Sequence, residues 1–168
     1  MSATSEVLTV ERDGPVATLW LDNPTRRNAM GPTFWTDLPG LMGELADDAA
    51  VRAVVIAAKG PHFTTGLDLK AFGGLGGGDD DGSEAASRLR TLRTVKRMQA
   101  AISAVADCPK PVIAAVHGYC IGGGVDLVTA CDIRLAAADA LFSVRETKIA
   151  IVADVGTLQR LPGIVGRG

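Results

Sequence analysis

Pro111-Val112-Ile113-Ala114-Ala115-Val116-His117-Gly118-Tyr119-Cys120-Ile121-Gly122-Gly123-Gly124-Val125-Asp126-Leu127 runs from an apolar, β-rich segment through three glycines into a helix-like segment. A buried strand that hands over to a helix in this way is the joint of a layered α/β fold. The glycines let the backbone turn and leave the first amides of the helix without intrahelical partners. A second stretch, Gly60-Pro61-His62-Phe63-Thr64-Thr65-Gly66-Leu67-Asp68-Leu69, follows the apolar run Ala53-Val54-Val55-Ile56-Ala57-Ala58 and can present amides in the same manner. Such dipoles are fixed before any charge develops, so the two stretches together read as a two-part oxyanion hole.

Outward from these stretches the chain alternates strand and helix. Residues 7–11 and 16–22 are short β-rich runs around Arg12-Asp13-Gly14-Pro15, whose Asp-Gly pair signals a hairpin. Residues 33–47 have helical character with Thr33 as the expected N-cap, and Pro39-Gly40 predicts a kink or break there. Residues 53–58 and 111–116 read as buried strands, and 132–136 as a further strand. The segment Gly73-Gly74-Leu75-Gly76-Gly77-Gly78-Asp79-Asp80-Asp81-Gly82-Ser83 is expected to be a flexible loop. Ser83 then caps a long amphipathic helix marked by Leu89, Leu92, Val95, Met98, Ile102 and Val105. No internal repeat is present, and residues 1–168 read as one unit.

Composition narrows the function. With 168 residues and a formal net charge of −2, the chain has length for a real core and no overall field to gather nucleic acid or an anionic membrane surface. The most apolar stretch, residues 111–131, is interrupted by His117, Asp126 and glycines and so fails as a membrane span. Cys108, Cys120 and Cys131 are odd in number and lack metal-ligand spacing, so free thiols are expected. The start, Met1-Ser2-Ala3-Thr4-Ser5-Glu6, lacks the basic and apolar regions of a secretory signal, which predicts a cytoplasmic address.

Several chemistries fail on spacing. From Gly122, a dinucleotide fingerprint finds Leu127 where its third glycine belongs, and no phosphate-binding lysine follows. A calcium loop started at Asp79 finds Arg90 at the closing glutamate position. His62 and His117 are the only histidines, there is no nucleophile elbow, and His117 at a strand end reads as structural. There remain carboxylates beside apolar runs: Asp126 after the glycines, Glu146 in Phe142-Ser143-Val144-Arg145-Glu146, and Asp154 after Ile149-Ala150-Ile151-Val152-Ala153. Each alone would suit a helix cap or a salt bridge. Gathered beside an oxyanion hole, crowding and desolvation would raise at least one pKa and supply an acid and a base.

These residues resemble the crotonase superfamily, the enoyl-CoA hydratase/isomerase family. The stretch from Gly60 to Lys70 looks like its first oxyanion-hole motif, and His117-Gly118-Tyr119-Cys120-Ile121-Gly122-Gly123-Gly124 like its second. The resemblance implies an α/β, ClpP/crotonase-like spiral of β-β-α units. It further implies that the Leu67 and Gly123 amides bind the oxygen of an acyl-CoA thioester, with Gly124 shaping the turn. Arg27, Ala29, Thr65, Gly66, Asp68 and Leu69 would line the CoA site, and Lys70 would approach its phosphates. No metal or separate cofactor is implied, because CoA is part of the substrate.

Within that superfamily a typical hydratase has glutamate at positions matching Asp126 and Glu146, and glycine at the position matching Asp154. The departures here, with residues 120–132 and 152–162, look more like the dienoyl-CoA isomerase branch, which converts 3,5-dienoyl-CoA to 2,4-dienoyl-CoA. Glu146 and Asp154 are then the expected acid/base pair and Asp126 an auxiliary. The alternatives are an enoyl-CoA hydratase, with Asp126 and Glu146 holding a water, and a non-catalytic acyl-CoA-binding module. The resemblance also implies a homotrimer or dimer of trimers, completed by carboxyl-terminal helices that lie beyond Gly168 in the family. The chain is therefore expected to be a core truncated at that end.

Overall fold

The computed structural model describes residues 5–71 and 83–166. Strand β1 (Leu8–Asp13) turns through Gly14 into β2 (Val16–Leu21), with Asp13 opposite Val16 in an antiparallel pair. Gly14 has φ +54°, so the turn uses the left-handed backbone that glycine tolerates. There follow α1 (Pro32–Asp47), β3 (Ala53–Ala58), α2 (Glu84–Ala106), β4 (Val112–Val116), β5 (Tyr119–Ile121), α3 (Gly123–Ala130), β6 (Ile133–Ala136), β7 (Leu141–Ser143) and α4 (Thr157–Val165). Short 3-10 turns occupy Pro24–Arg26 and Glu146–Ile149.

The large sheet has the order β1-β2-β3-β4-β6, parallel from β2 onward. A smaller sheet pairs β5 with β7 in parallel, and a single bridge from Thr64 to Cys120 extends it. From β3 onward, each turn of chain therefore lays one segment in the large sheet, one against the small sheet, and then a helix. This is the expected α/β spiral of β-β-α units. Its core takes Leu19 from β2, Val54 and Ile56 from β3, Val112 and Ala114 from β4, Leu38 and Leu45 from α1, Ile102 from α2 and Leu127 from α3. In β4 one face is buried and the other half-covered, and in β3 only Ala53 and Val55 are less than buried, in keeping with the near-continuous apolar runs at 53–58 and 112–116.

Helix α1 differs from expectation at two places. Gly31, not Thr33, is the N-cap, because Pro32 fits the first helical position, where its missing N–H costs nothing. The helix also continues through Pro39-Gly40. Burial of Phe34, Trp35, Leu38, Leu41, Met42 and Leu45 on one face outweighs the backbone bond that Pro39 cannot make.

Helix α2 begins where expected, the Ser83 side chain accepting from the Ala86 amide at 3.3 Å. Its apolar stripe is buried only at the carboxyl-terminal end: Ile102 and Val105 are in the core, whereas Leu89 and Leu92 are exposed. The predicted glycine-rich loop, apart from Ser83, lies outside the described residues. Cys120 and Cys131 are buried and free, but Cys108 is only half-buried. Burial pushes the Cys120 and Cys131 thiols up to about 12, which leaves them inert as nucleophiles.

Candidate active site

The first amide turn is built as a ribbon against residues 27–30. The Thr65 amide donates to the Arg27 carbonyl at 3.2 Å, Met30 to Gly66 at 2.8 Å, and Asp68 to Met30 at 3.1 Å. Arg27, Ala29, Thr65, Gly66, Asp68 and Leu69 are thereby gathered on two adjacent backbone segments. A trans peptide holds its C=O and N–H on opposite sides, so Met30's grip on the Gly66 carbonyl turns the Leu67 N–H away from the ribbon. That amide donates to no group among the described residues.

The second turn opens α3. Gly122 is its N-cap at φ +54° and accepts from the Val125 amide at 2.7 Å. The Gly123 amide, one of the orphan donors of the helix start, likewise has no acceptor among the described residues. The two turns face each other closely. A Cβ at Gly66, whose φ is +82°, would lie 2.5 Å from the Ile121 carbonyl oxygen and 3.3 Å from the Gly123 nitrogen. Only a glycine leaves this space open.

The carboxylates differ in their surroundings. Glu146, on the 3-10 turn after β7, is 7% exposed, and its buried Oε2 has no hydrogen-bond partner among the described residues. A Cβ at Gly122 would lie 3.2 Å from its Oε1, so this carboxyl stands beside the second amide turn. Burial holds the Glu146 carboxyl above the ordinary glutamate range, and the nearby Asp126 and Asp154 charges push the same way. Asp126, 1% exposed on α3, accepts from the Thr157 amide at 2.6 Å and the Thr157 hydroxyl at 2.7 Å. Burial raises its pKa, against the lowering effect of those two bonds. Asp154 lies on the exposed loop before α4, anchored where Gln99 of α2 donates to its backbone carbonyl at 2.8 Å. Its charge nevertheless reaches both other carboxyls.

Other expected binding residues are placed less uniformly. The Asp68 side chain is buried and turned to Arg26 at 2.8 Å, so it ties the Pro24–Arg26 turn to the first amide turn rather than standing open. Leu69 and Lys70 are exposed. His117 Nε2 bonds the Gly60 carbonyl at 2.7 Å, in keeping with a structural role. Among the described residues, no three His, Cys, Asp or Glu side chains are arranged to hold a metal ion.

Four residues escaped the reading of the sequence: Asn28, Thr64, Thr157 and Arg160. The Asn28 amide group donates to the Lys59 and His62 carbonyls, each at 2.9 Å, and its oxygen accepts from the Asn23 amide at 2.8 Å. The Arg160 guanidinium lies over Gly156, and its charge lowers the Asp126 pKa. A groove of about 370 Å³ between α3, β7 and α4, lined by Val125, Val128, Phe142 and Leu161, includes neither amide turn nor any of the three carboxylates.

Two unpartnered amide turns packed against each other, with a buried carboxyl beside the second, thus sit on a crotonase-type spiral. Residues 11–168 match the enoyl-CoA hydratase/isomerase family, and the chain belongs to it. It is 43% identical over 164 residues to the peroxisomal Delta(3,5)-Delta(2,4)-dienoyl-CoA isomerase of Arabidopsis thaliana, covering 97% of this chain and 59% of that protein. It is 49% identical over 148 residues to the mitochondrial enzyme of the same name from Homo sapiens, covering 87% and 44%. A protein from Thermobifida fusca YX, solved in complex with acetoacetyl-CoA, superposes with TM-score 0.81 at 32% identity, covering 99% of this chain and 66% of that one.

The chain thus spans about half the length of the curated relatives it matches. Those relatives are peroxisomal and mitochondrial, which overturns the cytoplasmic address expected from the first residues. Organelle addresses are short segments read by receptors, and the composition of a folded core does not encode them. Among the described residues no helix is long and apolar enough to cross a membrane.

Proposed function

We propose that this chain carries the acyl-CoA site of a Delta(3,5)-Delta(2,4)-dienoyl-CoA isomerase. The observation that carries the reading is the buried Glu146 carboxyl beside the Gly122-Gly123 turn, with Asp154 as a second acid within electrostatic reach. The reaction takes a proton from C2, next to the thioester carbonyl, and returns one at C6. Between these steps the negative charge is delocalised onto the thioester oxygen, where the Leu67 and Gly123 amides serve as the oxyanion hole. Of the acid/base pair, Glu146, beside the Gly122-Gly123 turn, is assigned to the C2 proton and Asp154 to the proton returned at C6. Both steps are proton transfers and the reaction is redox-neutral, so the proposal needs neither a metal nor a redox cofactor.

Asp126 is the auxiliary group that orders α4 through Thr157. Its occupied Oδ1 argues against the hydratase alternative, in which Asp126 and Glu146 would share the attacking water. The CoA portion lies along the ribbon of Arg27, Ala29 and Thr65–Leu69, with Lys70 toward the phosphates. The assembly proposed is a homotrimer or dimer of trimers; the exposed apolar side chains of β6 and α4 support association.

Incubation of the whole protein with a 3,5-dienoyl-CoA should generate the ultraviolet absorbance of a 2,4-dienoyl thioester, and Asp154→Asn should abolish it. Hydration of a 2-enoyl-CoA that persists in Asp154→Asn, with no dienoyl product from the parent, would replace this reading by the hydratase one.

A further inference from the structure

We propose that Thr64 is the positioning residue that fixes the spacing of the two amides, an inference that rests on reading Leu67 and Gly123 as the site of the thioester oxygen. Thr64 is completely buried, 0% exposed, and all its polar atoms are engaged. Its backbone amide donates to the Tyr119 carbonyl at 2.8 Å, and its carbonyl accepts from the Ile121 amide at 3.1 Å. These bonds hold β5, the strand that delivers the three glycines. Its hydroxyl donates to the Asn28 carbonyl at 2.6 Å and accepts from the Gly66 amide at 3.0 Å. Its Cγ2 methyl lies against Gly124, where an added Cβ would collide with it.

One residue therefore grips the first turn through its hydroxyl and the second through its backbone and methyl group. The anchor behind the hydroxyl is itself fixed, because the Asn28 side chain bonds three backbone groups. Gly66 takes the left-handed conformation that aims the Leu67 amide, and the Thr64 oxygen is the acceptor for the Gly66 N–H. Removing that acceptor releases the Thr65-Gly66 peptide, and with it the Gly66 φ that sets how the Leu67 amide is tilted about the Gly66 carbonyl held by Met30, without touching the ligand or the carboxylates.

The test compares calorimetric affinity for a saturated acyl-CoA thioester with that for the matching S-alkyl-CoA thioether, which lacks the carbonyl oxygen. The parent protein should prefer the thioester. Thr64→Val should lose about tenfold of that preference with thioether affinity unchanged, as expected for one weakened hydrogen bond to the oxygen. Thr64→Ser, which keeps the hydroxyl, should retain the preference. Thr64→Cys, close to serine in size but a poor donor and acceptor, should lose it, and it decides the matter if the valine variant does not fold. Hydrogen exchange at the Gly66 amide should quicken in the cysteine and valine variants and not in the serine one. Undiminished thioester preference in the cysteine and valine variants would overturn the positioning role. A parent protein with no preference would instead overturn the oxyanion-hole reading and this inference with it.

Discussion

Glu146 has a carboxyl oxygen that nothing among the described residues satisfies, and its burial raises the pKa above its ordinary value of 4.5. A carboxyl with a higher pKa in the folded than in the unfolded chain binds more protons when folded. Its stabilising contribution is therefore complete below the unfolded pKa and is lost as pH rises through the folded one. At neutral pH the raised pKa works against stability, so Glu146→Gln should raise Tm at pH 7, with the gain shrinking in melts taken below the ordinary carboxyl range. The same variant should cut turnover by about 10²- to 10⁴-fold, the usual contribution of a positioned base. In the parent protein, kcat/KM should fall on the acid side through an apparent pKa above that of a free glutamate. The three acids were legible in the sequence because charged residues beside apolar runs demand an explanation. Thr64 and Thr157 were not, because a threonine in a loop or at a helix start usually faces water or its own backbone, and their partners here lie 36 and 31 residues away. Asn28 was hidden for the same reason, as the Lys59 and His62 carbonyls it holds come from another turn of the chain.

Helix α4 has Gly156 at its N-cap, with no side chain to cap it, and Asp126 of α3 supplies the missing acceptor at Thr157. Asp126→Asn keeps that oxygen and should leave Tm nearly unchanged. Asp126→Ala leaves a buried amide and hydroxyl unpaired and should cost about 1–3 kcal/mol, with faster hydrogen exchange across α4. Gly66→Ala tests the first amide turn: its methyl would press on the Ile121 carbonyl, in a backbone conformation that alanine resists, so acyl-CoA binding should be lost in calorimetry. Strands β3 and β4 and the Ser83 cap were legible because each is a local pattern of apolar runs or capping residues. Strands β5 and β7, three residues each, are too short to show a period, and they exist because they pair with each other across the fold. The continuity of α1 through Pro39 was likewise decided by packing, which the local rule for proline does not contain.

Across the whole molecule, the apolar surface is uneven. Among the described residues, Leu135 on β6, Phe142 on β7, and Leu158 and Val165 on α4 are all at least 45% exposed. A hydrophobic dye should therefore bind the folded chain, and Leu135→Lys with Phe142→Ser should lower its fluorescence without lowering Tm. The order of the large sheet carries another consequence, one of timing. Strands β3, β4 and β6 are each laid on an edge left open by the turn before, so a growing chain can add them in the order of its synthesis. The β1-β2 hairpin closes locally, whereas each later pairing waits for a long crossover and is intrinsically slower. The Leu67 amide comes from the second turn of the spiral and the Gly123 amide from the third. A nascent chain can thus acquire a stable sheet well before its two amide turns come together, and they meet only when Ile121 zips onto Thr64.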